Sequence, residues 1–456
     1  MLIDADPTDR DRITLERAAG IARLVSDGPL LPAPAVLRDA GARRVGLMLH
    51  SRGPLVANGY AARSEEVIGA VTARGWRAEA VTRLGYPRDI NRYADADVPT
   101  LQTYAGVPCH LLADPVGGLR TRPLDQYVAA YGDAAAQAFG GLAPNVLHAA
   151  SSWHNGLAMM HAGVRLGAAT VYEARGLWEV TALSRGDYPL GTDDARYQLA
   201  ARMEAAAAEA ADAVIVLSEG LAEALAERGV DPAKMIVAPN CAPVRERSNP
   251  HEKTDARRLA GFPPDACVVG YLGFVGAYEG LDDLLEAFAR ARARPEGRTL
   301  RLLVVGDGPV LDPLRERAAA LSLTDAARFT GRVPRADATR LAGAVDIVAL
   351  PRRDLPVTRI VPPIKAVEAM ARGLPLVVSD LPALTALVEA DRTALVVPPG
   401  DVAALTDALI RLTMEPDLRA SLGAAGLAAA ADRFAPDIVG ASIERAYERA
   451  LAARRG

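Results

Sequence analysis

Lys365 and Glu368, three positions apart in "IVPPIKAVEAMARGLPLVVSD" (360–380), have the types and spacing of a contact to a phosphate and a sugar hydroxyl pair. Two prolines precede them and a glycine follows, which predicts a short helix beginning at Pro362–Ile364 and then a strand over "LPLVV". Free amides at a helix start attract phosphate, and Lys365 adds a cation on the first turn. Glu368 shares that face and suits a ribose diol, whose two hydroxyls can donate to one carboxylate. The plainer alternative is a Lys–Glu pair on a solvated face, worth about 0.2–0.5 kcal/mol. Glycines elsewhere bear on the choice. "GFVGAYEGLDDLLEAF" sets Gly273 and Gly276 between a strand and a helix, where missing side chains let a phosphate approach the backbone, or simply allow a tight turn. "VVGDGP" (304–309) is a second glycine turn, but Leu311 stands where a dinucleotide fingerprint needs its third glycine, so that motif is rejected.

Other chemistries find no support in the residues. His50, His148 and His154 end or follow strand-like runs, yet no His, Asp and Glu set has metal-ligand spacing such as HExxH, and "LHAASSWHNG" holds no GxSxG elbow. A net charge of −4 with 24% charged residues is ordinary for a globular chain and suggests no nucleic-acid partner. Cys109, Cys241 and Cys267 form no CxxC pair or disulfide framework, so a reducing compartment is expected. The acidic start "MLIDADPTDRDR" is unlike a secretory signal, and no run approaches the ~18 apolar residues of a membrane helix, so a cytoplasmic location is expected. Peripheral contact with the inner membrane face stays open, and the basic "IERAYERALAARR" points weakly that way.

The elements that must position these residues alternate. "RRVGLMLHS", "WRAEAVTR", "PNVLHAAS", "ATVYEARG", "ADAVIVLSEG" and "KMIVAPN" read as strands separated by helices, and the pattern weakens between 91 and 135. After the polar, proline-bearing linker "PNCAPVRERSNPHEKTD" (239–255) it restarts with "CVVGYLG", "LRLLVVGDG", "ARFTGRV", "DIVALPR", "LPLVVSD" and "ALVVPPGD". Leu281, Leu284, Leu285 and Phe288 keep the spacing of an amphipathic helix that covers a sheet. The reading is an α/β chain with a helical extension at 1–43, Rossmann-like domains at 44–242 and 256–434, and a terminal helix at 435–456 free to cross back to the first domain. Ligands of such sheets lie outside the carboxyl ends of the strands.

In order, "YLGFVGAYEGLDDLLEAF", "LLVVGDGP", "RFTGRVP", "DIVALPR", "PPIKAVEAMARGLPLVVSD" and "ALVVPPGD" resemble the C-terminal nucleotide-sugar domain of retaining GT-B glycosyltransferases, the large family that includes phosphatidylinositol mannosyltransferases and sucrose synthases. "NGYAARSEEVIGAVTARGWRAEAVTR", "YEARGLWE" and "AERGVDPAKMIVAPN" resemble its N-terminal domain, and the likeness spans about residues 44–450. It implies two doubly wound domains facing a central cleft. It implies that Glu368, the second glutamate of an E-x7-E pattern, binds the ribose hydroxyls. The amides of Ile364 and Lys365 would then hold the donor diphosphate, and the backbone around Val333 would meet the base. The first glutamate of the pattern falls on Ile360, which leaves the sugar open, and "PPIKAVE" resembles a branch with a P-x-K-x-x-E helix. Many relatives show Gly-Arg and then Lys-Gly where this chain has Gly273-Phe274 and Glu279-Gly280. Arginine forks suit phosphate, so Arg352, Arg353 and Arg359 join Lys365 as candidates to supply the missing charge. Asn58-Gly59 resembles the family's glycine pair before a helix that touches the acceptor or the donor phosphate. Glu173 falls where many relatives carry a cleft histidine and would orient a sugar hydroxyl. Arg175, Trp178 and His148 would line the acceptor side, Trp178 either stacking on a pyranose or packing in the core. Arg63 reads as exposed.

The resemblance therefore implies a retaining transferase, independent of cofactor and metal, that moves a sugar from a nucleotide sugar, most simply a UDP-sugar, to a saccharide, lipid-linked or small-molecule hydroxyl, as in polysaccharide biosynthesis. Lys365 and Arg353 would stabilise the departing diphosphate. Since one fold hosts several chemistries, a sugar-nucleotide epimerase, a phosphorylase and a non-catalytic subunit of a glycan-assembly complex remain alternatives.

Overall fold

The computed structural model describes residues 9–29, 31–33, 41–56, 58–90, 93–95, 97–114, 119, 122–244 and 250–455. In chain order the first half carries α1 (Asp9–Asp27), β1 (Arg44–Leu49), α2 (Gly59–Ala73), β2 (Arg77–Thr82), β3 (Leu101–Tyr104), β4 (Val107–His110), α3 (Leu124–Ala138), β5 (Val146–Ala150), α4 (Trp153–Leu166), β6 (Ala169–Ala174), α5 (Trp178–Ser184), α6 (Ala195–Ala210), β7 (Ala213–Val216), α7 (Glu219–Ala226) and β8 (Met235–Val237). The second half carries α8 (Pro250–Ala260), β9 (Cys267–Leu272), α9 (Leu281–Ala293), β10 (Leu300–Val305), α10 (Leu311–Ala320), β11 (Ala327–Phe329), α11 (Arg335–Ala342) and β12 (Ile347–Leu350). It continues with α12 (Pro356–Ile360), α13 (Ile364–Met370), β13 (Leu376–Ser379), α14 (Pro382–Thr385), β14 (Ala394–Val397), α15 (Val402–Met414), α16 (Pro416–Arg433) and α17 (Pro436–Ala453).

Two compact units result. One comprises residues 1–179, 190–238 and 440–456, the other 180–189 and 239–439. The division thus runs through α5 and α17, whereas the sequence suggested breaks between elements at 242 and 435. For α17 the reason is packing: Tyr447 is fully buried in the first unit, edge-on to Trp76 at 4.8 Å.

The first unit holds an eight-stranded sheet in the order β3-β4-β2-β1-β5-β6-β7-β8. β3 runs antiparallel to β4, and the other pairings are parallel. Every residue of β5, β6 and β7 is buried, as expected of parallel strands covered on both faces. The β3–β4 hairpin occupies the stretch where alternation weakens. The second unit holds a six-stranded sheet, β11-β10-β9-β12-β13-β14, parallel throughout. With β9 counted as its first strand, this is the doubly wound 3-2-1-4-5-6 order, whose crevice opens where β9 and β12 diverge. Helix α9 buries Leu281, Leu284, Leu285 and Phe288, the four spaced positions, against this sheet.

Candidate functional site

Strand β9 delivers its carboxyl end to a turn that runs from Gly273 to Gly280. Gly273 has φ +137°, and a Cβ there would lie 2.6 Å from Lys365 Cε. Gly280 has φ +67°, and its Cβ would lie 1.9 Å from the Pro351 carbonyl oxygen. Both positions therefore require glycine because protein approaches protein, and the space beside Gly273 that the sequence suggested for a phosphate holds the stem of Lys365. Gly276 is extended, and a Cβ there would meet the Phe274 ring at 2.7 Å.

Glu279, in the single 3-10 turn Ala277–Glu279, is buried and gathers two cations. Its Oε1 accepts from Lys365 Nζ at 2.6 Å and from Arg352 Nη2 at 3.2 Å, while Oε2 accepts from Arg352 Nε at 3.3 Å. Lys365 Nζ also donates to the Tyr271 hydroxyl at 2.6 Å, which in turn donates to the Phe274 carbonyl at 2.5 Å. Arg352 is anchored by Nη1 donating to Val361 O at 2.9 Å. Burial alone would raise the Glu279 carboxyl, but the charges of Arg352 and Lys365 hold it at about 2. Burial also lowers the Lys365 ammonium, with Glu279 opposing that shift. The sequence had marked Glu279 only as a cation lost. Its role as counter-ion could have been sought in Arg352, a buried guanidinium needing a carboxylate.

Ile364 and Lys365 open α13 after Pro363, and no side chain caps the helix start. Asn240 Nδ2 donates to Pro362 O at 3.1 Å and fixes the approach to it. Glu368 lies on the exposed face of the same helix, one turn beyond Lys365. Val333 is half-buried ahead of α11. The three candidate arginines separate: Arg352 joins Lys365 through Glu279, Arg353 is half-exposed and ion-paired with Asp282, and Arg359 is exposed with its fork on Asp354 at 2.5 and 2.6 Å. As placed, Arg359 is neutralised on the surface and brings no spare charge to Lys365.

In the first unit Asn58 caps α2, its side chain accepting from Ala61 N at 3.0 Å, and Gly59 is the first helical residue. Arg63, expected to be exposed, is 2% exposed. Its Nε donates to Glu173 Oε1 at 2.9 Å and its Nη2 to Ala238 O at 2.9 Å. Arg175 Nε donates to Glu173 Oε2 at 2.7 Å, and His148 Nε2 stands 3.4 Å from the same oxygen. Burial would raise the Glu173 carboxyl, but Arg175 and Arg63 hold it well below the usual range. With no exposed atom and both oxygens engaged by protein, Glu173 is placed to fix two arginines, not to orient a sugar hydroxyl as the sequence suggested. His148 is likewise enclosed, its Nδ1 2.8 Å from the Tyr447 hydroxyl, so it does not line an acceptor surface. Arg175 Nη1 donates to Tyr60 O at 2.9 Å and to Ser64 Oγ at 2.7 Å. Trp178 is 40% exposed, its ring edge-on to His50 at 4.6 Å, which leaves an aromatic surface at the carboxyl end of β1. Among the described residues no three of His, Cys, Asp and Glu come together as a metal-holding group.

Two α/β units built on parallel sheets, the second with a cation-bearing short helix between β12 and β13, have the architecture of the GT-B transferases. The model for group 1 glycosyl transferases matches residues 266–415, and the model for the glycosyl transferase 4-like domain matches residues 58–241. The two halves of the chain thus each match a glycosyltransferase domain model, and the fold is GT-B. It is 29% identical over 450 residues to the D-inositol 3-phosphate glycosyltransferase of Stackebrandtia nassauensis, covering 92% of this chain and 96% of that protein. Sucrose-phosphate synthase from Thermosynechococcus elongatus shares the fold at a TM-score of 0.70 and 21% identity, over 90% of this chain and 100% of that one. Anabaena HepE, solved in complex with UDP and glucose, does so at 0.68 and 18%, over 88% and 98%. Among the described residues no helix is long and apolar enough to cross a membrane.

Proposed function

We propose that this protein is a retaining glycosyltransferase that uses a UDP-sugar and delivers the sugar to a hydroxyl of a polyol, saccharide or lipid-linked acceptor at the cytoplasmic side of the membrane. The observation that carries the reading is the pairing on α13 of a largely buried ammonium, Lys365, with an exposed carboxylate, Glu368, on the crevice side of β9. Glu368 takes the ribose diol. The amides of Ile364 and Lys365, with the Lys365 charge, take the diphosphate, and Arg353 leaves its surface partners to join them. The bond between the anomeric carbon and the phosphate oxygen breaks, its electron pair staying on the diphosphate. The acceptor oxygen then bonds to that carbon on the same face and its proton passes to the departing phosphate, so no separate base is needed. Preorganised positive charge lowers the barrier because charge on the phosphate grows as the bond breaks. UDP in the HepE structure supports the choice of donor, and the inositol phosphate substrate named for the Stackebrandtia relative supports a cyclitol-like acceptor. In the first unit, the exposed face of Trp178 is the acceptor platform.

The test is a panel of UDP- and GDP-sugars, each with and without inositol phosphates and simple glycosides. Release of UDP only with acceptor, and an α-linked product from an α-linked donor by proton coupling constants, is expected. Conversion of one UDP-sugar into another, or phosphate-dependent release of a sugar phosphate, would replace this reading. Glu368→Ala removes two hydrogen bonds to ribose, each worth about 1–1.5 kcal/mol, so the donor KM should rise roughly 30- to 150-fold with kcat little changed.

A further inference from the structure

Lys365 Nζ has three hydrogens, and two are committed, one to the Tyr271 hydroxyl and one to Glu279 Oε1. Its side chain is 13% exposed, and its stem lies across Gly273, where a Cβ would collide with it. The groups that face it are the Tyr271 hydroxyl from β9, Glu279 from the 277–279 turn, Arg352 from the end of β12 and Glu368 from its own helix. Glu279 is the buried anion among them, and it touches both cations. Without it, a buried amine would sit beside a buried guanidinium, an arrangement that favours the neutral amine. Arg352 cannot relieve this, because an arginine stays protonated.

We propose that Glu279 is a positioning residue that does for Lys365 what the diphosphate would do once bound, keeping it an extended ammonium over Gly273 until an anionic ligand arrives. This rests on the donor reading given above. It has a consequence that a merely structural ion pair does not share. Removing the carboxylate charge while keeping its shape lets Lys365 lose its proton in the free protein, and a bound diphosphate calls that proton back. Binding of the ligand then becomes proton-linked.

The experiment is titration calorimetry of the full chain with UDP at pH 8 in two buffers of different ionisation heat. Wild type should take up close to no proton. Glu279→Gln should take up a measurable fraction of a proton, growing as pH is raised above 8, and the alkaline limit of its UDP affinity should fall by about one pH unit or more. Glu279→Asp should restore the wild-type proton count, and adding Lys365→Met to Glu279→Gln should abolish the uptake. The inference is overturned if Glu279→Gln binds UDP with the wild-type proton count and pH profile. A second arm covers failure of that variant to fold. Arg352→Gln removes the competing cation, so reductive 13C-methylation followed by NMR should show Lys365 losing its proton at higher pH than in wild type, and an unmoved or lower titration sinks the proposal. If wild type binds no UDP, the donor reading fails, while the same 13C titration of Lys365 in wild type and in Glu279→Gln still decides whether Glu279 holds the proton on Lys365.

Discussion

Buried carboxylates in this chain are of two kinds, and their neighbours decide which. Glu173 and Glu279 each face two cations and stay ionised. Among the described residues, none brings a cation to Glu204 at contact distance. Its oxygens accept from Trp153 N at 3.0 Å and from the Tyr172 hydroxyl. Burial, and then the nearby charge of Glu179, push its carboxyl up to about 8. A carboxyl whose folded pKa lies above its unfolded value favours unfolding when it ionises, so the penalty is absent below about 4.5 and grows as pH rises toward 8. Glu204→Gln keeps the shape, since its amide can donate to the Tyr172 oxygen while its carbonyl accepts from Trp153 N–H. The variant should match wild type in melting temperature at pH 5 and exceed it at pH 8, read by differential scanning calorimetry at both pH values. These assignments were hardly legible in the sequence. Arg63 in "AARSEE" looks like a surface residue, and only the fold brings it to Glu173, 110 positions away. Glu368 was legible because helix periodicity and its distance from Lys365 are local properties.

Local signals also explain which elements could be read ahead. All the runs expected as strands are strands; the central ones are legible because a parallel strand buried on both faces is continuously apolar, while the edge strands β8 and β11 stay partly exposed. The prolines before Ile364 announced α13 for the same kind of reason. The β3–β4 hairpin escaped notice because its turn is Ala105-Gly106, with φ of 49° and 83°. A turn with two positive φ values ordinarily advertises itself as Asn-Gly or Asp-Gly, and alanine does not. The turn between β9 and α9 is legible in its glycines but not in their purpose, which is to bring backbone and the Lys365 stem together. Gly280→Ala tests this at the level of the element. The added Cβ would lie 1.9 Å from the Pro351 oxygen at a φ that alanine disfavours, so the turn that carries Glu279 must shift away from Arg352. A loss of about 3 kcal/mol or more in urea unfolding is expected, together with weaker UDP binding.

For the molecule as a whole, the two-unit plan followed from alternation and from motif order, but where the chain divides did not. Tyr447 meets His148 and Trp76, and Glu444 accepts from Trp76 Nε1 at 3.3 Å and pairs with Arg43 at 2.8 Å and with Arg74. Arg449 and Arg454, two of the basic residues that hinted at a membrane surface, are held by the Ala233 carbonyl and by Asp212. Contacts of this kind join segments hundreds of positions apart, and no local pattern encodes them. Deleting residues 440–456 should therefore strip the first unit of its closing helix and leave residues 44–238 open to limited proteolysis, while residues 250–439 resist; supplying the helix as a separate peptide should restore protection. The same connectivity sets a schedule for biogenesis. A nascent chain that has emerged as far as residue 439 has everything its second unit needs, yet the unit translated earlier still waits for residues 440–456. Folding from the ribosome is therefore expected to finish in the reverse of coding order, and a chaperone guarding the unfinished unit would have to stay bound until residues 440–455 emerge.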